Sequence, residues 1–84
     1  MTLQQLRNRI DRIDRKLLRL LNERAALAMR IGGLKKKRGL PVFDGKREQV
    51  VLRRLERASR GPLPGVSIKK IFRNILFQNR KLQD

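Results

Sequence analysis

The sequence predicts an all-helical fold with three helices, one long and two shorter. Apolar residues recur at alternating spacings of three and four over about five heptads, which is typical of a helix that packs on other helices. No β-like alternation or internal repeat is visible in the 84 residues. Two clusters of glycine and proline, 39–41 and 61–65, divide the chain into three segments. We therefore expect residues 1–84 to form a single helical domain.

The first helix is predicted to extend from about residue 3 to residue 38. Gly39 follows where a left-handed residue commonly ends a helix. Two interleaved heptad series mark its packing side: Leu3, Ile10, Leu17, Arg24 and Ile31, and Leu6, Ile13, Leu20, Leu27 and Leu34. Gly32 and Gly33 each cost about 1 kcal/mol inside a helix relative to Ala. We interpret both as positions of close packing.

The second and third helices have their own boundary signals. Asp44 is a good N-cap for a second helix that reaches about Arg60. Ser67 is predicted to cap a third helix that reaches about Gln83. The two apolar stripes consist of Val51, Leu52, Leu55 and Ala58, and of Ile68, Ile71, Phe72, Ile75, Leu76 and Leu82.

The helix lengths predict a homodimer. A first helix of this length spans about 50 Å, whereas the other two span about 25 Å each. Laid end to end in a single row beside the first helix, the other two match its length but cover only part of its apolar stripe, which would leave a long apolar seam in water. We expect the first helix to pair with its symmetry mate. The alternative is a compact monomeric bundle with a bent first helix.

Composition excludes several kinds of chemistry. The chain has 23 Lys and Arg against 7 Asp and Glu, a formal charge of +16, and it has no Cys, His, Trp or Tyr. Thiol nucleophiles, imidazole bases, disulfides and Cys/His zinc sites are therefore absent. The longest apolar run has five residues, 25–29, too few for a transmembrane span or a signal peptide. We expect a soluble, cytoplasmic protein.

Polar residues interrupt the apolar stripes of all three helices. Arg24 occupies a position in the first heptad series, and Lys35 lies three helical turns further on nearly the same side. The polar residues that continue the other two stripes are Arg47, Glu48, Asn79 and Gln83. Each alone is explained by ion pairing, by snorkelling or by exposure at a helix end. One polar pocket with an excess of cations explains them together and predicts a small carboxylate ligand.

The pocket offers no covalent catalyst. The only hydroxyl side chains are those of Thr2, Ser59 and Ser67, none with a base beside it. Asp44 and Glu48 lie four residues apart, and the nearby cations make them better suited to accepting a substrate hydroxyl's hydrogen bond than to transferring protons. The same cations disfavour a metal ion. The sequence therefore predicts a site that binds and orients an anion without a metal or cofactor.

Six fragments along the chain resemble the all-helical class of chorismate mutases. They are residues 6–14, 20–24, 31–35, 41–44 with Arg47 and Glu48, 71–73, and 79–83. The resemblance implies an intertwined homodimer that converts chorismate to prephenate by a Claisen rearrangement, on the route to Phe and Tyr and without a cofactor.

The resemblance also implies a role for each matching residue. Arg24 and Arg47 would bind substrate carboxylates, with Arg7 contributed by the other subunit. Lys35 and Gln83 would contact the ether oxygen of the breaking bond. The remaining members of the set are Glu48 and Asp44 at the ring hydroxyl, and Asn79, which stands where the family more often has Ser.

Two other functions fit parts of the sequence. An isochorismate-pyruvate lyase has the same fold and a similar cationic pocket. A basic helical protein that binds nucleic acid would account for the charge and for the run 35–38, although the aromatic content of 4% provides few stacking platforms. At most non-specific binding to nucleic acid is expected. A further alternative is that the chain is one domain of a bifunctional enzyme.

Overall fold

The computed structural model describes residues 1–83 and contains three α-helices, which confirms the predicted all-helical class. They are α1 (Leu3–Arg38), α2 (Gly45–Ala58) and α3 (Gly65–Lys81). Asp84, the last residue of the predicted domain, lies outside the described residues. The region 1–83 contains no strand, and none of its helices combines the length and hydrophobicity that a membrane span requires.

The two ends of α1 are capped by local sequence. The Thr2 side chain accepts a hydrogen bond from the Gln5 backbone N–H, and the Gln5 side chain accepts one from the Thr2 backbone. At the other end, Gly39 has φ 66° and donates its backbone N–H to carbonyls of the last turn, as predicted.

Three of the predicted helix boundaries differ from the structure, and one of them is the end of α3, at Lys81 instead of about Gln83. α2 ends at Ala58 instead of Arg60, because Ser59 is extended (φ −69°, ψ 119°) and its hydroxyl donates to the Leu63 carbonyl at 2.6 Å. α3 begins at Gly65, with Pro64 as its N-cap, so Ser67 lies inside the first turn and donates its own N–H to Pro64 at 3.0 Å. Ser67 is therefore not the cap.

The three helices are not arranged as two short helices along one long helix. α2 packs on α3, α3 packs on α1, and α1 and α2 do not pack on each other within residues 1–83. The molecule measures 55 × 24 × 15 Å, and its radius of gyration of 15.9 Å exceeds the roughly 12 Å of a compact domain of this length. Contacts within the chain therefore leave much of α1 uncovered.

Very little of the described chain is buried. The buried apolar residues are Ala28 on α1, Leu52 on α2 and Leu76 on α3. Every residue from 1 to 23 is exposed, so the packing of α1 is confined to its C-terminal half. A cavity lined by Arg24 and Lys35 lies beside this half.

Candidate functional site

A cavity of about 480 Å³ lies where the C-terminal half of α1 meets the start of α2 and the end of α3. Seven of the eight predicted site residues line it: Arg24, Lys35, Asp44, Arg47, Glu48, Asn79 and Gln83. Apolar side chains such as Leu27, Ile31 and Val51 form the rest of the wall. The structure therefore brings the polar interruptions of all three stripes to one cavity.

Arg24 contacts α3 through Asn79. Its Nη1 donates a hydrogen bond to the Asn79 Oδ1, and Asn79 is only 8% exposed. The pairing with a core glutamate that would have explained Arg24 structurally is absent from residues 1–83. An amide satisfies the guanidinium without neutralising it, so the positive charge is available to a ligand.

Lys35 is held by two neutral acceptors. Its Nζ donates to the Val42 carbonyl at 2.7 Å and lies 3.5 Å from the Gln83 Oε1. Gly32, one turn earlier, allows the end of α3 to come this close, because a Cβ there would lie 2.9 Å from the Gln83 Cβ. The close-packing interpretation was correct for Gly32.

The same interpretation was wrong for Gly33 within the described chain. A Cβ at this position would meet no atom within 4 Å. Gly33 lies one residue on, and because consecutive helical residues differ by about 100° in direction, it does not face the end of α3 as Gly32 does.

The carboxylates at the start of α2 both have partners. Asp44 caps the helix, with its Oδ1 accepting from the Arg47 backbone N–H at 3.1 Å, as predicted. Glu48 is half-buried and forms an ion pair with Arg80, with Nη1 2.8 Å from Oε2. The Arg80 guanidinium also lies 4.7 Å from the centroid of the Phe43 ring.

Arg80 was missed as a site residue by sequence reasoning, although it lines the cavity. A signal was present, because Arg80 follows Leu76 by four residues, just as Glu48 precedes Leu52 by four on the apolar stripe of α2. It therefore continues the apolar stripe of α3 toward α2.

The balance of charge in the cavity is positive. Four cations and two carboxylates line it. The ion pairs within residues 1–83 are Glu48–Arg80 and Arg19–Glu23, so Arg24, Lys35 and Arg47 have no carboxylate within 4.0 Å. Such a cavity is suited to binding a dicarboxylate and stabilising negative charge that develops on it. Residues 1–83 contain no cluster of three or more metal-binding side chains.

Arg7 is the one predicted site residue that lies outside the cavity. It is exposed on the N-terminal half of α1, and its separation of 17 positions from Arg24 corresponds to about 25 Å of helix. The two side chains cannot contact one small ligand within a single chain.

Comparison with known proteins assigns the chain to a family. The sequence profile of chorismate mutase type II matches residues 6–84. The chain belongs to this family. The six fragments on which the resemblance rested all fall inside the matched region.

Individual chorismate mutases are similar to this chain in both sequence and structure. The Form II structure of chorismate mutase from Thermus thermophilus superimposes with a TM-score of 0.95 at 41% identity, covering 96% of this chain and 92% of that one. Chorismate mutase from Helicobacter pylori, solved in complex with prephenate, gives a TM-score of 0.87 at 32% identity over 96% of this chain and 88% of that one.

Some family members are much longer proteins. A bifunctional chorismate mutase/prephenate dehydratase from Aquifex aeolicus is 42% identical over 78 residues, which is 88% of this chain but 22% of the relative. The chain thus spans about a fifth of the length of such curated relatives.

Proposed function

We propose that this chain catalyses the rearrangement of chorismate to prephenate. The proposal rests on the cations that line the cavity and are held by neutral groups. Arg24 donates a hydrogen bond to the Asn79 side-chain amide, and Lys35 donates one to the Val42 backbone carbonyl. Chorismate is a dicarboxylate whose ether C–O bond breaks as a C–C bond forms within the same molecule. No external nucleophile or redox partner is required, in agreement with the side chains that line the cavity.

The proposed roles follow the position of each group. Arg24 and Arg47, which have no carboxylate partner among residues 1–83, bind substrate carboxylates and hold the substrate in its reactive conformer. Lys35 donates to the ether oxygen, where negative charge grows during bond breaking, with Gln83 beside it. Because this charge is greatest in the transition state, the ammonium favours that state over the bound substrate. Glu48, with Asp44 nearby, accepts from the ring hydroxyl, and Asn79 orients Arg24.

We further infer that two copies pair through α1. Along its N-terminal half, Ile10, Ile13 and Leu17 are 56%, 55% and 51% exposed in the single chain. They belong to heptad series whose regular spacing is typical of helix–helix seams, and a soluble monomer rarely exposes such a continuous apolar surface.

An antiparallel pairing would also provide the missing site residue. Arg7 lies at the opposite end of α1 from Lys35, so a symmetry-related α1 running the other way would carry its own Arg7 toward the cavity. We propose that each cavity is completed by the partner subunit's Arg7.

Product analysis tests the proposed activity. Purified protein is expected to consume chorismate and form prephenate. With isochorismate it is expected not to form salicylate and pyruvate, the products of the lyase that shares this fold. Release of these products without mutase activity would overturn the proposal.

Replacing Lys35 tests the assigned mechanism. Lys35→Ala is expected to lower kcat by on the order of 10³-fold, because it removes the donor to the developing charge. Lys37→Ala is the matched control, since Lys37 is exposed two residues away and does not line the cavity. Equal turnover by both variants would contradict the role of Lys35.

A further inference from the structure

Four cations on the outer side of α2 are not explained by the cavity. They are Lys46, Arg53, Arg54 and Arg57, all exposed and none of them lining the cavity. The spacings of seven and four residues place Lys46, Arg53 and Arg57 on one side of the helix, with Arg54 at its flank, over about 16 Å. We refer to these four residues as the α2 cationic face.

No acidic residue in the region 1–83 forms an ion pair with this face. The two carboxylates of α2, Glu48 and Glu56, are both half-buried on the side toward α3. Glu48 pairs with Arg80, and Glu56 packs so closely on the start of α3 that a Cβ at Gly65 would lie 2.8 Å from its Cγ. Within residues 1–83, none of the four cations has a carboxylate within 4.0 Å.

The arrangement is unfavourable for the helix itself. Arg53 and Arg57 are like charges four residues apart, a spacing that destabilises a helix. Neither the packing of α2 on α3 nor the cavity requires them, because both use the opposite side of the helix, where Leu52 is buried. An anionic partner would remove this repulsion.

We propose that the α2 cationic face binds the phosphodiester backbone of duplex nucleic acid without reading its sequence. Three of the four cations are arginines, whose planar guanidinium binds phosphate oxygens in a bidentate manner. A duplex presents one negative charge per roughly 1.7 Å of its axis, so several phosphates lie within reach of a face of this length. The chain's three phenylalanines all lie outside α2, so this face has no platform for unpaired bases.

Two other anionic partners fit the face less well. A helix that binds a membrane surface buries its apolar side in the lipid, but the apolar side of α2 is covered by α3. An acidic polypeptide carries carboxylates at lower and less regular density than a duplex carries phosphates. The proposal is independent of the chemistry in the cavity.

Binding to short DNA and RNA duplexes of mixed sequence tests the proposal, with fluorescence anisotropy measured over a series of salt concentrations. The logarithm of the binding constant is expected to fall linearly with the logarithm of salt concentration, with a slope of about −3 for three or four phosphate contacts. The double variant Arg53→Glu/Arg57→Glu is expected to weaken binding at least about tenfold and to reduce the slope by about 2.

The control variant Lys70→Glu/Arg73→Glu makes the same change in net charge at exposed positions on α3. It is expected to retain most of the affinity, and equal weakening by both pairs would overturn the proposal in favour of net charge alone. Tighter binding to phosphatidylglycerol vesicles or to polyglutamate than to either duplex at the same salt concentration would also overturn it.

Circular dichroism checks that the double variant is folded. If it is unfolded, the single variants Arg53→Gln and Arg57→Gln should each reduce the slope by about 1.

Discussion

The two halves of α1 carry the same heptad pattern but have different surroundings. In the C-terminal half, Ala28 and Gly32 are buried, and Arg24 and Lys35 make hydrogen bonds to α3 and to the following loop. In the N-terminal half every residue up to position 23 is exposed, although the leucines and isoleucines continue at the same spacing.

The contrast shows what an apolar repeat specifies. The repeat indicates that a helix has a packing side, but it does not identify the packing partner. In the C-terminal half the partner is α3 of the same chain. In the N-terminal half residues 1–83 provide none, and we propose that a second copy does. Substitutions in each half of α1 test this division.

The largest effects are expected where the two halves of α1 meet in one proposed site. Arg24→Ala removes a cation from the cavity, and Arg7→Ala removes the cation proposed to come from the partner subunit. Each variant is expected to lose on the order of 10³-fold in kcat/KM. Mixed after unfolding and refolding together, they should recover about a quarter of the unsubstituted activity, because half of the dimers are mixed and each mixed dimer contains one intact site.

The recovery distinguishes a shared site from two separate ones. If Arg7 and Arg24 acted in the same chain's site, no mixed dimer would contain an intact site and mixing would restore nothing. Arg12→Ala serves as the control for Arg7, since Arg12 is exposed on a different side of α1. It is expected to retain activity without mixing.

The next largest effect is expected from a charge in the proposed seam. Ile13→Glu places a carboxylate where the apolar series requires a buried side chain, at a cost of about 2–3 kcal/mol for each copy. Analytical ultracentrifugation should show the mass falling from twice 9.9 kDa to 9.9 kDa, with activity lost at the same time. Arg15→Glu changes the opposite side of the helix and should remain dimeric. A monomeric unsubstituted protein would refute the seam itself.

Sequence patterns predicted the long helix closely and the short ones less closely. The end of α1 was predictable because Gly39 provides a left-handed residue, whereas the start of α3 depends on Pro64 and the close approach of Gly65 to Glu56, neither of which is visible in an apolar stripe. The cavity residues were identifiable because polar groups interrupt three stripes. The ion pair between Glu48 and Arg80 could not be predicted from the sequence, because it depends on how α2 and α3 are aligned.

A smaller effect is expected from the glycine that separates α1 from the end of α3. Gly32→Ala introduces a Cβ 2.9 Å from the Gln83 Cβ and 3.0 Å from its Cα, so the end of α3 must shift away from Lys35. Because small displacements of catalytic groups are costly, kcat should fall about tenfold. Gly33→Ala has open space at its Cβ and should instead stabilise the helix by up to about 1 kcal/mol. Similar kinetics for both variants would contradict a role for this contact in positioning Gln83.

The smallest effect is expected at Arg80, which contacts other residues of the wall. The side chains of Arg80 and Glu48 are each about a quarter exposed. Solvent therefore weakens their ion pair to about 1 kcal/mol. Arg80→Gln should therefore raise KM for chorismate about three- to fivefold with little change in kcat, because Glu48 is retained but less firmly held. Arg80→Lys should recover part of the loss, since it restores the charge without the guanidinium plane over Phe43. Arg73→Gln removes an exposed cation from the same helix and should leave KM unchanged. If KM rose equally in this variant, the effect would come from the overall positive charge of the chain and not from the contact with Glu48.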